Sequence, residues 1–220
     1  MQKKEKMSNY DIQAEDARRL FLRHDQERII KRYGLSADEM WLYLEYLHTP
    51  CRISRKSGSV EVRSRGEAWE ECRGFDTVMT IYDLLCHAKG DTAPALSGEW
   101  CTVGHFTIVT SPSAAKFTKK YEEAFQNHTK ELELACKSLG GVLQEKMAGA
   151  DITCLIHVTP YFPVLLQFWD GDDEFLPKLS LLWDCNSMEF LHFETTFYLQ
   201  GDILERLGRE MQAKQDGTVF

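Results

Sequence analysis

Trp169-Asp170-Gly171-Asp172-Asp173-Glu174-Phe175 sets four carboxylates around one glycine, between two strongly apolar stretches of the chain. In extended backbone Asp170, Asp172 and Glu174 point to one side, because strand periodicity is two, and three such carboxylates favour a divalent cation. Calcium takes roughly six to eight oxygens, so Asp184, Glu99 or Glu194 would have to complete the shell from elsewhere in the fold. The metal candidates are therefore Asp170, Asp172, Glu174 and Asp184. A second reading is a β-turn in which Asp170-Gly171 supplies a positive φ while Asp172 and Asp173 accept backbone N–H groups. A basic partner or substrate is the third. The candidate ligand- or partner-contacting set is Trp100, Trp169, Asp170, Asp172, Asp173, Glu174, Asp184 and Glu194.

Gly98-Glu99-Trp100 offers different chemistry. A carboxyl desolvated against an indole has a raised pKa and can act as an acid or base, which makes Glu99 the candidate catalytic residue. An edge-strand glutamate packed on Trp100 is the plainer alternative. Cys154 and His157 lie three apart in a strand-like segment, on opposite faces, and Cys86-His87 are neighbours about 100° apart on a helix, so neither is a good chelating pair. No G-x-S-x-G and no phosphate-cradling glycine loop occurs, and Gly140-Gly141 follows a helix where an anion site would need to open one. Arg52, Arg55, Lys56, Arg63 and Arg65 form a local basic stretch, read either as an anion-contacting surface or as a solvated hairpin face.

The whole chain is acidic, with net charge −8 over 220 residues, which opposes a general nucleic-acid surface or binding to an anionic membrane. Its 43% hydrophobic content suffices for one substantial core without staples. Seven scattered cysteines, with no C-x-x-C, suit a reducing cytoplasm. Met1 to Lys6 runs into charged helical sequence, so no signal peptide is expected. The apolar stretch Val158 to Trp169 is broken by Pro160 and Pro163 and falls short of the roughly 20 residues that span a bilayer.

These side chains need elements to hold them. Ser8 to Tyr33 reads as helix, with Asp25 capping a second helix that stops at Gly34; Met40 to Leu47 suits either strand or helix. Arg52-Ile53-Ser54 and Val60-Glu61-Val62 predict a hairpin. Asp76 opens a helix with Val78, Ile81, Tyr82 and Leu85 on one face, and Asp91 to Ser97 leads into a strand at Trp100 to Val103. Ser113 is read as the cap of the longest helix, running to Gly140-Gly141. Strands follow at Val142 to Met147, Ile152 to Thr159, Val164 to Trp169 and Leu179 to Asp184. Closing helices carry Phe190, Leu191, Phe193, Leu204 and Leu207, and Gln212 to Phe220 is expected to fray. The prediction is one α+β domain over 1–220: an antiparallel sheet of about five to seven strands packed by helices, with 1–34 a helical extension.

The order of motifs carries a resemblance. An apolar helix at Met79 to Ala88 precedes Leu96-Ser97-Gly98-Glu99-Trp100. Then come Pro160-Tyr161-Phe162-Pro163, the acidic segment, Leu182-Trp183-Asp184 and Leu191-His192-Phe193-Glu194. Over Asp25 to Arg209 this resembles a family of prokaryotic domains of unknown function, found in anaerobic bacteria and methanogenic archaea and sometimes joined to a four-cysteine iron–sulfur domain of the corrinoid-protein type. The resemblance implies anaerobic cofactor-dependent metabolism and a corrinoid or iron–sulfur protein as partner, and it assigns no catalytic residue. The leading expectation is a cytosolic binding or accessory module. A metal-dependent enzyme, most plausibly a hydrolase on the clustered carboxylates, and a purely structural interaction domain are the alternatives.

Overall fold

The computed structural model describes residues 8–63, 68–107 and 112–215. Helix α1 (Asn9–Arg23) starts with a capping box: Ser8 Oγ accepts the Asp11 N–H at 3.1 Å and the Asp11 carboxylate accepts the Ser8 N–H at 3.0 Å. Helix α2 (Gln26–Tyr33) is capped by Asp25 and ends at Gly34, whose φ of +62° is the left-handed C-terminal conformation that glycine adopts without strain. The Asp25 cap and the Gly34 stop agree with the sequence.

Of the stretch Met40 to Leu47, Trp41–Tyr46 is strand and Leu47 opens the turn after it. Strand β1 (Ser36–Ala37), β2 (Trp41–Tyr46), β3 (Thr49–Ser54), β4 (Val60–Val62) and β5 (Glu70–Glu71) form an antiparallel sheet in that order. In β2 the residues Leu42, Leu44 and Tyr46 are buried while their neighbours are not, the period-two pattern of a strand with one inner face. The expected hairpin pairs Arg52 with Glu61 and Ile53 with Val60. Helix α3 (Phe75–Cys86) follows and packs on α1, with the Tyr10 ring edge-on to Phe75 at 4.9 Å and Phe21 tilted on Tyr82 at 5.8 Å.

The second sheet consists of β6 (Trp100–Thr102), β7 (Gly141–Leu143), β8 (Ile152–Thr159), β9 (Phe162–Trp169) and β10 (Lys178–Asp184), ordered β6-β10-β9-β8-β7 and antiparallel throughout. Its central strand β9 buries Phe162, Val164, Leu165, Leu166 and Phe168 to 2% exposure or less. Each such side chain contributes about 1.5–3 kcal/mol of apolar burial. Helix α4 (Pro112–Phe125) rests on β10, and α5 (Thr129–Ser138) on β7 and β8. A strand apolar on both faces demands such cover. Pro163 lies inside this central strand, one residue after its start, although the sequence assigns it to the preceding turn. It pairs with His157, next to the register shift between His157 and Thr159, where a residue without an N–H is tolerated.

The fold is α+β, with two five-stranded sheets where one of five to seven strands is expected. A second difference is the helix predicted from Ser113 to Gly140. It is two helices, broken at Asn127, whose φ is +63°, and its first residue is Pro112. Asp170 Oδ1 accepts the Asn127 N–H at 2.9 Å, so the break is held from the end of β9. The chain closes with a 3₁₀ turn (Ser187–Glu189) and one continuous helix, α6 (Phe193–Gln215), the longest element described. The tail expected to fray is helical through Gln215; residues 216–220, Met1 to Lys6 and Arg65 lie outside the described residues. Among the described residues no helix is long and apolar enough to cross a membrane.

Two units share the chain. The first is drawn from Met1–Leu44, Pro50–Pro94 and Glu189–Leu199; the second from Glu45–Thr49, Ala95–Met188 and Gln200–Phe220.

Candidate metal centre

In the first unit, Asp83 lies in α3 and His87, four residues on, is its C-cap and keeps helical backbone angles, which stacks the two side chains on one face. His192, just before α6, completes a group in which one ligand atom from each residue lies within 4.8 Å of the others. His87 Nδ1 is 3.2 Å from His192 Nδ1, and His192 Nδ1 is 2.6 Å from Asp83 Oδ1. Ligand atoms on a tetrahedral ion at ~2.0–2.1 Å are ~3.3 Å apart, close to the separation of the two imidazoles. The shorter Asp83–His192 contact is a hydrogen bond whose proton an incoming ion would displace.

Asp83 is held firmly. Its Oδ2 accepts the Thr195 hydroxyl at 2.6 Å and the His192 backbone N–H at 2.7 Å, leaving Oδ1 for the imidazole. The Asp83 side chain is 13% exposed against 62% for His192, so a buried carboxylate meets an exposed ring. Outer contacts of this kind orient first ligands and set metal affinity.

The group sits in the wall of a cavity of about 320 Å³. Ala17, Leu20, Met79 and Tyr82 give it an apolar lining, while Glu194 and Tyr198 add polar groups. Tyr82 donates to the Gly58 carbonyl, and its burial pushes the phenol pKa up, so this wall stays neutral. Burial, followed by the charge of Asp83, likewise pushes the Cys86 thiol up to about 12. Two imidazoles and one carboxylate leave coordination positions open on a transition-metal ion, and an apolar cavity beside them can receive a ligand.

The residues expected from sequence are distributed differently. Glu194 lines this cavity. Asp170, Asp172, Glu174 and Asp184 are not drawn into a common group of ligand atoms: among the described residues, two such groups occur and neither contains them. Asp170 Oδ1 accepts the N–H groups of Asn127 and Gly171. Asp172 Oδ1 accepts those of Glu174 at 2.8 Å and Phe175 at 2.7 Å, and these bonds hold its pKa below the usual aspartate value. Asp173 and Glu174 are exposed. The segment is a turn closed by its own carboxylates, and Gly171 has no positive φ there. A Cβ on Gly171 would lie 2.5 Å from Gln126 Nε2 and 2.7 Å from Pro177 Cδ, so the glycine is required by close approach. Trp169 donates to the Ala148 carbonyl at 3.2 Å under the Lys178 ammonium.

Asp184 is buried in the second unit. Its Oδ1 accepts from the Ser97 N–H, the Ser97 hydroxyl and the Asn186 N–H, each at 2.9 Å, and Oδ2 from the Gly98 N–H at 2.8 Å. Burial opposes its ionisation, but these four bonds outweigh it and hold the pKa below the ordinary value. Glu99 is exposed and Trp100 half-buried at the start of β6. The basic hairpin is turned largely on its own neighbours: Arg52 stacks on Trp41 at 3.9 Å and pairs with Glu61, Arg63 stacks on Trp69, and Arg55 pairs with Glu27.

Asp83 is not among the residues picked out from sequence, where His87 is set only beside Cys86. The D-x-x-x-H spacing on an amphipathic helix was the available signal; His192, 105 residues on, had none beyond its place in Leu191-His192-Phe193-Glu194. The second group of ligand atoms, Cys101, His105 and Cys185 in the second unit, was equally hidden, since its sulfurs are far apart in sequence.

No curated protein and no solved structure is similar to this chain at a significant level. A family model described as a domain of unknown function, DUF3786, matches residues 25–206, a span that contains every residue of both groups, and the chain belongs to that family.

Proposed function

We propose that this protein is a metal-dependent binding module whose first unit holds one transition-metal ion on Asp83, His87 and His192, with the adjoining cavity receiving a small ligand at the open coordination positions. The observation that carries this reading is the convergence of two imidazoles on a carboxylate already fixed by Thr195 and the His192 N–H, in the wall of an apolar cavity. Zinc, iron or cobalt suits such a nitrogen and oxygen set. The resemblance to domains of anaerobic prokaryotes supports a place as an accessory to corrinoid- or iron–sulfur-dependent metabolism, and seven cysteines outside any disulfide suit a reducing cytoplasm.

Glu194 favours a second, hydrolytic reading. A carboxylate in the same cavity wall as the metal ligands is available to take a proton from an ion-bound water.

The test is metal stoichiometry by native mass spectrometry after titration with Zn²⁺ or Co²⁺. Asp83→Asn and His192→Gln are expected to lose one equivalent each relative to the parent. Equal stoichiometry and affinity in all three proteins would remove the site. Turnover of ester, amide or phosphoester substrates that Glu194→Gln abolishes, with metal retained, would select the hydrolytic reading.

A further inference from the structure

We propose that Cys101, His105 and Cys185 form a zinc-binding site in the second unit, with three protein ligands and a fourth position taken by water. The site is independent of Asp83, His87 and His192, and it stands or falls separately from the function proposed above.

The topology explains why these three residues meet. Strands β6 and β10 are neighbours, with Cys101 opposite Trp183 and Trp100 opposite Asp184, so Cys185 follows one residue beyond the last pair. Its backbone N–H donates to the Glu99 carbonyl at 2.9 Å, which extends the pairing and sets the direction of its side chain. His105 is four residues past Cys101 because the chain makes a 3₁₀ turn (Val103–Phe106) directly after β6, bringing the imidazole back over the strand end. One ligand atom from each of the three lies within 4.8 Å of the others, with both cysteines half-buried and His105 exposed. An ion can therefore enter past the imidazole.

The frame around the site is rigid. Asp184, 1% exposed, ties the loop at Ser97 and Gly98 to Asn186 through four hydrogen bonds, so the segments on either side of Cys185 and before Cys101 are cross-braced. Asn186 Nδ2 adds a bond to the Ala95 carbonyl at 3.0 Å. Pre-set ligands lose little freedom when the ion arrives, which is the condition for tight binding.

Ligand chemistry selects the ion. Two sulfurs and one nitrogen do not suit calcium or magnesium, which take oxygen. Iron–sulfur clusters take four protein ligands, cysteines or cysteines with histidines, and this group supplies three. Zinc accepts a Cys₂His set with an open fourth position. Binding releases the two thiol protons to solvent and leaves a neutral Zn(Cys)₂His unit, with no electron transferred.

Cobalt reports the site directly. Reduced, metal-free protein titrated with Co²⁺ is expected to develop a thiolate-to-cobalt charge-transfer band in the near ultraviolet. The band should disappear in Cys101→Ser and Cys185→Ser and persist in Asp83→Asn and His192→Gln. His105→Gln changes an exposed side chain, so the fold is not at issue; it should weaken Zn²⁺ binding by at least the roughly 10–100-fold that loss of an outer contact costs. Zn²⁺ should also slow alkylation of Cys101 and Cys185, read peptide by peptide, and do so less in His105→Gln. Absence of the band in the parent protein, its survival in the cysteine variants, or alkylation rates indifferent to Zn²⁺ would overturn the proposal.

Discussion

Thr195 donates its hydroxyl to Asp83 Oδ2 at 2.6 Å, the oxygen turned away from His192 Nδ1. The bond points the other oxygen at the imidazole, so Thr195 would act as a positioning residue for the metal site proposed on Asp83, His87 and His192. Thr195→Val keeps the shape and removes the donor. It is expected to weaken Zn²⁺ or Co²⁺ binding at that group about 10–100-fold, with Thr195→Ser restoring it. Competition against a chromophoric chelator measures the affinity. A drop in melting temperature with unchanged affinity would assign Thr195 a packing role instead.

Asp184 couples stability to pH. Its folded pKa is below the ordinary 3.8, so its contribution is complete above that value and is lost as pH falls through the lower, folded one. Asp184→Asn presents an NH₂ group to N–H donors and should cost about 1–3 kcal/mol near neutrality. Urea unfolding of the two proteins from pH 7 downward should show that gap narrowing below about pH 4. A constant gap would dissociate the carboxylate charge from the effect.

Gly171→Ala should destabilise the second unit by about 1–3 kcal/mol, because the added carbon meets the Pro177 ring and backbone nitrogen at 2.7 and 2.9 Å. Asp172→Asn combined with Glu174→Gln is expected to leave metal stoichiometry unchanged, since Asp172 is committed to its own turn. Thermal unfolding checks the first statement and native mass spectrometry the second.

Tyr46 donates to Asp202 Oδ2 at 2.9 Å while Arg206 holds Oδ1 at 2.7 Å. Asp202 is 5% exposed. Tyr46→Phe should cost about 1 kcal/mol and Asp202→Ala about 1–3, because the latter removes the shared acceptor of both groups while Arg206 keeps its bond to Thr49 at 3.3 Å. A double-mutant cycle should return a coupling of about 0.5–3 kcal/mol. Additivity within error would mean that the phenol and the carboxylate act separately.

Local chemistry carried most of the fold. The Asp25 cap and Gly34 stop, the Arg52–Glu61 hairpin and the strands β8, β9 and β10 were legible because each depends on residues a few positions apart. The break at Asn127 was not: the apolar spacing from Phe125 to Leu139 stays helical across it, and what fixes the turn is Asp170, from a strand 43 residues later. The division into two sheets was hidden for the same reason, since pairing partners leave no trace in periodicity. For the sites the contrast is sharper. Clustered acids drew attention as a sequence motif, yet Asp170 and Asp172 bond backbone N–H groups nearby, and both groups of convergent ligand atoms unite residues separated by more than 80 positions.

That the first unit takes Glu189–Leu199 as its third segment has a bearing on biosynthesis. A ribosome extrudes Asp83 and His87 at ~5–20 residues per second and must make about a hundred more residues before His192 emerges. A nascent chain can therefore form helix α3 early, but the proposed ligand set stays incomplete until strands β6 to β10 have been made and His192 follows them, so an ion bound there would arrive only after the second sheet's strands exist.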